Sequence, residues 1–172
     1  NFNELYATLQ KETTVIDEIT LKILDEKLKV IQPKLVCFSV PFPGNLYCAF
    51  RCAQFIKKNY PEIKIGMGGG FPNTELRSVT DVRVFDFFDF ISLDDGELPV
   101  ELLLSNVLHP SPDNPDFKLF KRTFLKEYGK VVYNNLSVKN DYKQAYVGTP
   151  DYADLLLSEY ISVIEIANPM HS

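Results

Sequence analysis

The sequence predicts an α/β fold built on a parallel sheet, and three observations carry that expectation. Short apolar runs, LVCFSV (35–40), IKIGM (63–67) and FFDFISL (87–93), alternate with stretches of helical periodicity. The first is continuous and rich in β-branched and aromatic residues, as strands covered on both faces are. Clusters of Gly, Pro, Asn and Asp punctuate the segments between them. Strands separated by helices become parallel neighbours through crossover connections.

Residues 14–31 open the series. Ile16, Ile19, Ile23, Leu24, Leu28 and Ile31 recur at helical spacing while charges fill the other face, which predicts an amphipathic helix. Thr13 or Thr14 is its candidate N-cap, and Gln32-Pro33 stops it. The strand at 35–40 gives way to the loop PFPGN (41–45), whose Asn45 is placed to cap the next helix. Leu46, Ala49, Phe50, Ala53 and Ile56 line one face of that helix, and Pro61 ends it. The strand at 63–67 runs into Gly68-Gly69-Gly70. Residues 74–87 offer a helical turn or two before the third strand. The turn DDGELP (94–99) then leads into a helix over 100–108. HPSPDNPD (109–116), with three prolines, reads as a linker. Residues 120–135 predict a β-hairpin around a Gly-containing turn, and 136–150 a polar loop.

The chain has 172 residues, which suits one domain or one domain with an appendage. Hydrophobic residues make up 45% and charged residues 24%, the balance of a soluble protein with a core. No run of about 18 apolar residues and no signal-peptide pattern is present, so no membrane partner is expected. A net charge of −5 gives no basic face for nucleic acid. The cysteines, Cys37, Cys48 and Cys52, are odd in number and sit in apolar surroundings. They are expected to be core residues of a protein in the reducing cytoplasm. The chain starts without Met and ends on an apolar stretch, PDYADLLLSEYISVIEIANPMHS, so a fragment of a longer protein is expected.

In open α/β sheets, ligands bind outside the carboxyl ends of the strands. Three unusual loops fall there: Ser39-Val40-Pro41-Phe42 with Pro43-Gly44-Asn45, Gly68-Gly69-Gly70-Phe71-Pro72-Asn73, and Asp94-Asp95-Gly96-Glu97. Parallel strands would bring them to one rim. The glycines fit either a tight turn or a bare backbone against a large flat ligand. No phosphate-loop or dinucleotide motif is present, which weakens a nucleotide-binding reading. Ser39 suits a ligand or a strand-end backbone group. Asp94, Asp95 and Glu97 suit a paired-carboxylate site, or Asp95 caps the following helix with Glu97 favourable in its first turn. His109 and His171 belong to no nucleophile–His–acid set, and the cysteines lack metal-site spacing. No catalytic and no metal-binding residue is therefore assigned.

The run from Lys34 to Glu97 resembles the cobalamin-binding domain of cobalamin-dependent radical SAM proteins. The matching features are a strand ending in Ser39-Val40-Pro41, glycines Gly68 to Gly70 roughly thirty residues later, and a strand from Asp89 through Gly96-Glu97. The likeness covers about residues 14–108. It implies a flavodoxin-like, Rossmann-type sheet that lacks its first strand. It also implies a cobalamin-binding domain at 1–108 and a hairpin-bearing linker at 109–172 that leads toward an absent radical SAM domain. Cobalamin would be bound by Ser39, Val40, Pro41, Phe42, Gly68, Gly69, Gly70, Phe71, Asn73, Asp94, Gly96 and Glu97. The parent protein would add a [4Fe-4S] cluster and S-adenosylmethionine for methyl transfer or related radical chemistry. Neither Asp-x-His-x-x-Gly nor C-x-x-x-C-x-x-C occurs in the chain. The alternative expectation is a ligand-free Rossmann-like interaction module that docks a partner domain.

Overall fold

Two helices lead into the sheet. The first, α1 (Phe2–Leu9), lies ahead of the first predicted element. Its Phe2, Leu5, Tyr6 and Leu9 reach the core at helical spacing, a signal too short to stand out. The second, α2 (Val15–Ile31), starts as its sequence predicts. The Thr14 hydroxyl accepts from the Asp17 amide and the Asp17 carboxylate accepts from the Thr14 amide, a reciprocal capping box. The computed structural model describes residues 2–115, 117–149, 151–153 and 156. They fall into one compact unit ending at Asp141 and a second beginning at Tyr142.

The remaining elements of the first unit are β1 (Leu35–Ser39), α3 (Pro43–Asn59), β2 (Lys64–Gly68), α4 (Gly70–Glu75), a 3₁₀ turn (Val82–Asp86), β3 (Phe90–Ser92), α5 (Glu97–Leu108), β4 (Thr123–Glu127) and β5 (Lys130–Asn134). The second unit holds a short helix, α6 (Gln144–Val147). Three boundaries differ from expectation. Helix α3 begins at Pro43 with Phe42 at its N-cap, so Asn45 is already helical; proline suits a first turn because it has no amide to leave unpaired. Helix α4 begins at Gly70, within the segment read as loop. Helix α5 begins at Glu97 behind Gly96, and Asp95 does not cap it. Most of the apolar C-terminal stretch, read as an approach to a radical SAM barrel, lies outside the described residues.

The protein is α/β, with an open mixed sheet of five strands in the order β1-β2-β3-β4-β5. Strands β1, β2 and β3 are parallel, and the hairpin β4–β5 adds antiparallel to β3. The predicted hairpin therefore extends the sheet itself, with Phe90 opposite Leu125 and Ser92 opposite Thr123. Register sorts the strand residues into two faces. Val36, Phe38, Ile65, Met67, Ile91 and Phe124 face α1, α3 and the aromatic cluster of Phe50, Phe87 and Phe88. Leu35, Phe90 and Leu125 face α5 through Leu103.

The sequence predicts a β1 covered on both faces; it is instead an edge strand, and Cys37 and Ser39 on its α5 face are exposed. Helix α2 also departs from expectation. Asp17, Leu24 and Leu28 are the residues that turn inward. Ile16, Ile19, Ile23 and Ile31 are 53–76% exposed. Its strongest apolar stripe thus faces solvent. Among the described residues no helix is long and apolar enough to cross a membrane.

A buried ion pair fastens the leading helices to α3. The Arg51 guanidinium donates to the carbonyls of Leu9, Thr8 and Lys11 and to the Tyr47 hydroxyl, 3.7 Å from Asp17. Burial alone would raise the Asp17 pKa. Hydrogen bonds from Thr14 and Tyr47 and the charge of Arg51 outweigh it and hold the carboxyl below its ordinary value. A lowered folded-state pKa stabilises the fold above the ordinary carboxylate range, and that contribution is lost as pH falls through the lowered value. Asp17→Asn is therefore expected to destabilise the chain most at neutral pH, by about 3 kcal/mol for a buried pair left with one charge. The gap to the wild type should narrow below about pH 4. Urea unfolding at pH 7 and pH 3 checks this, and an unchanged gap would contradict the assignment.

Candidate functional site

Parallel pairing brings the carboxyl ends of β1, β2 and β3 to one edge. Two rungs on the α5 face then decide the shape of that edge. The lower rung runs Cys37, Gly66, Phe90, and the upper rung runs Ser39, Gly68 and then Ser92. Five of these six side chains are very small. With Val100 and Leu103 of α5 above them they leave a cavity of about 280 Å³ between helix and sheet. Asp94 and Gly96 stand at its mouth.

The three consecutive glycines divide between two tasks. Gly68 faces the cavity, and a Cβ there would sit 3.7 Å from the Ser92 carbonyl, an ordinary contact. Gly69 has φ 102 and ψ −173, a region that only glycine occupies readily. A Cβ on Gly69 would lie 2.8 Å from the Val40 nitrogen, and one on Gly70 would lie 2.9 Å from the Pro41 carbonyl oxygen. The two loops press backbone to backbone. The Val40 amide donates to the Gly68 carbonyl at 2.8 Å, and the Phe71 amide donates to the Val40 carbonyl at 2.9 Å.

The other expected site residues separate in the same way. Ser39, Gly69, Asp94 and Gly96 join Gly68 at the cavity. Val40 is 1% exposed and Phe71 packs on the core, so both side chains point inward. Pro41, Phe42, Gly70 and Glu97 lie on exposed rim outside the lining, with Phe42 70% exposed. Asn73 braces the rim, its side-chain carbonyl accepting from the Asp94 amide at 2.7 Å. Asp94, in a left-handed conformation (φ 59), is also paired with Arg77.

Sequence reasoning missed Gly66, Cys37, Ser92 and Arg122. The G-M-G alternation at 66–68 was a signal for the first, since period two puts both glycines on one face. Nothing local announced Arg122. Its guanidinium donates to the Leu93 and Asp95 carbonyls and to Asp141, locking the third loop to the start of β4. Arg122 in turn holds the Asp141 carboxyl below the usual range.

The cysteines differ from one another. Cys52 is buried as expected, whereas Cys37 and Cys48 are exposed, Cys37 because it opens onto the cavity. Burial, and then the neighbouring Cys48, pushes the Cys52 thiol up to about 12, so it stays protonated at neutral pH. Among the described residues no group of three or more His, Cys, Asp or Glu could hold a metal ion. Neither the Ser39 nor the Ser92 hydroxyl has a side-chain hydrogen-bond partner among the described residues. Ser92 is only 9% exposed, yet its hydroxyl is not a buried unpaired atom; it opens to the cavity, where a ligand can bond to it.

The two tasks of the glycines make a testable contrast. Gly69→Ala is expected to destabilise by at least about 1–3 kcal/mol through strain, before its contact with Val40 is added. Gly68→Ala should be neutral or stabilising by about 0.5 kcal/mol, as Ala generally is over Gly in a strand. Urea midpoints compare the two, and equal losses would contradict the division.

No protein-family model matches the chain, and no curated protein matches it in sequence, so the geometry of the site carries the functional reading.

Proposed function

We propose that this unit is a cobalamin-binding domain of the kind found in cobalamin-dependent radical SAM proteins, and that its cavity takes the nucleotide tail of cobalamin. The observation that carries the proposal is the floor of small side chains at the carboxyl ends of three parallel strands, roofed by α5. A volume of about 280 Å³ is at the small end of ligand pockets. It has room for the base of the tail, while the macrocycle would lie over the exposed rim formed by Pro41 and Phe42. Ser39 and Ser92 offer the tail hydroxyl partners, and Asp94 and Gly96 border its entry.

When bound, cobalamin supplies the methyl-transfer chemistry, and a radical SAM domain with a [4Fe-4S] cluster and S-adenosylmethionine belongs to the parent protein. This chain's residues bind and orient. The Val40–Gly69 contact fixes two loops, and Asn73 and Arg122 fix the third. Free cysteines suit a reducing cytoplasm. One observation favours the alternative of an interaction module: the exposed Ile16, Ile19 and Ile23 stripe of α2 is a surface on which a partner domain could pack.

Gel filtration of the protein with hydroxocobalamin, read in the visible, tests the proposal. Corrin absorbance should travel with the protein, and none retained would overturn it. Replacing Ser39 and Ser92 together by Ala should weaken binding about tenfold, the order expected for losing one or two hydrogen bonds.

A further inference from the structure

We infer that Gly66 and Cys37 set the depth of this cavity and make it selective for a neutral, fused two-ring base with an apolar inner end. The inference rests on the cobalamin reading above and names the part of the ligand that the site discriminates.

The two rungs are not equally open. Along the upper rung, Ser39, Gly68 and Ser92 all lie at the cavity. Along the lower rung only Cys37 and Gly66 do, because Phe90, the next residue on that rung, turns into the packing beneath α5 with Leu103 and Phe120. The cavity therefore has a single deep corner, over Gly66 and beside Cys37. A Cβ on Gly66 would already be 3.4 Å from the Cys37 sulfur, so any larger side chain at 66 closes the corner.

Two residues along a strand advance about 6.6 Å. That step is comparable to the long dimension of a fused five-and-six-membered ring system. A single ring would stop at the upper rung. Polarity is graded along the same path. The serine hydroxyls stand at the upper rung, and the corner holds a thiol, a glycine and the apolar Leu103. The Gly66 backbone is committed to the ladder with β1, and the Cys37 amide and carbonyl point away from Gly66 toward the open edge of the sheet. No charged side chain lines the corner. An amino group carried into it would lose its water without gaining a partner, which disfavours such an analogue by roughly ten- to a hundredfold.

Absorbance titrations with three corrinoids test this: cobalamin, whose base is dimethylbenzimidazole; the analogue whose base is adenine; and cobinamide, which has no base. The wild type should bind cobalamin at least tenfold more tightly than either of the others. Gly66→Val should remove that preference and leave cobinamide affinity unchanged. Cys37→Leu, which fills the same corner from an exposed position on the neighbouring strand, should do the same, so the outcome does not depend on one variant folding. Equal loss for cobalamin and cobinamide, or no loss in either variant, would overturn the depth assignment while leaving cobalamin binding in place. Retention of none of the three by the wild type would overturn the cobalamin reading itself.

Discussion

The site depends on one crossing of backbone over backbone. Val40 leaves β1 and Gly69 leaves β2 with so little space between them that a single Cβ would collide with main chain. Main-chain collisions cannot be relieved by changing a rotamer, so this contact fixes both loops at once. The hydrogen bonds on either side, Val40 to Gly68 and Phe71 to Val40, align the strand ends. Helix α4 can then start immediately at Gly70, and its Asn73 reaches the third loop at Asp94. All three rim loops are thus referenced to one contact.

The sheet separates stability from binding by face. One face carries Ile65, Met67, Ile91 and the aromatic cluster around Phe50 and Phe88, all nearly inaccessible. Burial there stabilises at about 25 cal/mol per Å² of apolar surface removed from water. The other face is well packed only toward the amino ends of the strands, where Leu103, Phe120 and Leu125 meet Leu35 and Phe90. Toward the carboxyl ends it is thin. Contacts that large side chains would supply at Cys37, Ser39, Gly66 and Gly68 are absent, and the stability they would give is forgone on that half-face. The Arg51–Asp17 network anchors the leading helices on the opposite, well-packed side.

Much of this was legible in the sequence because it is local or periodic. Alternating strands and helices gave the α/β class, and the Thr13-Thr14 pair marked the start of α2. Strand order and long-range pairing were not legible. The hairpin at 123–134 carries a local signature, but nothing near it says that it pairs with β3 or that Arg122 clamps the third loop. The apolar stripe of α2 misled for a physical reason. A helix can carry two apolar faces, and periodicity does not tell which one meets the core. Here the weaker one, marked by Leu24 and Leu28, does. The glycine run was recognised as unusual, yet bare backbone has two causes. Only three-dimensional contacts assign Gly69 and Gly70 to chain crossing and Gly68 to the cavity. Gly66 escaped notice because an isolated glycine in a strand looks like a weak residue until its face is known.

Amide hydrogen exchange of the chain with and without hydroxocobalamin is the most direct test of where a ligand sits. Slower exchange should be confined to residues 39–42, 66–71 and 92–97, the three strand ends at the cavity. Protection centred on residues 16–31, or no change at the strand ends, would contradict a tail-binding cavity and would point instead to the exposed face of α2 as the working surface of the protein.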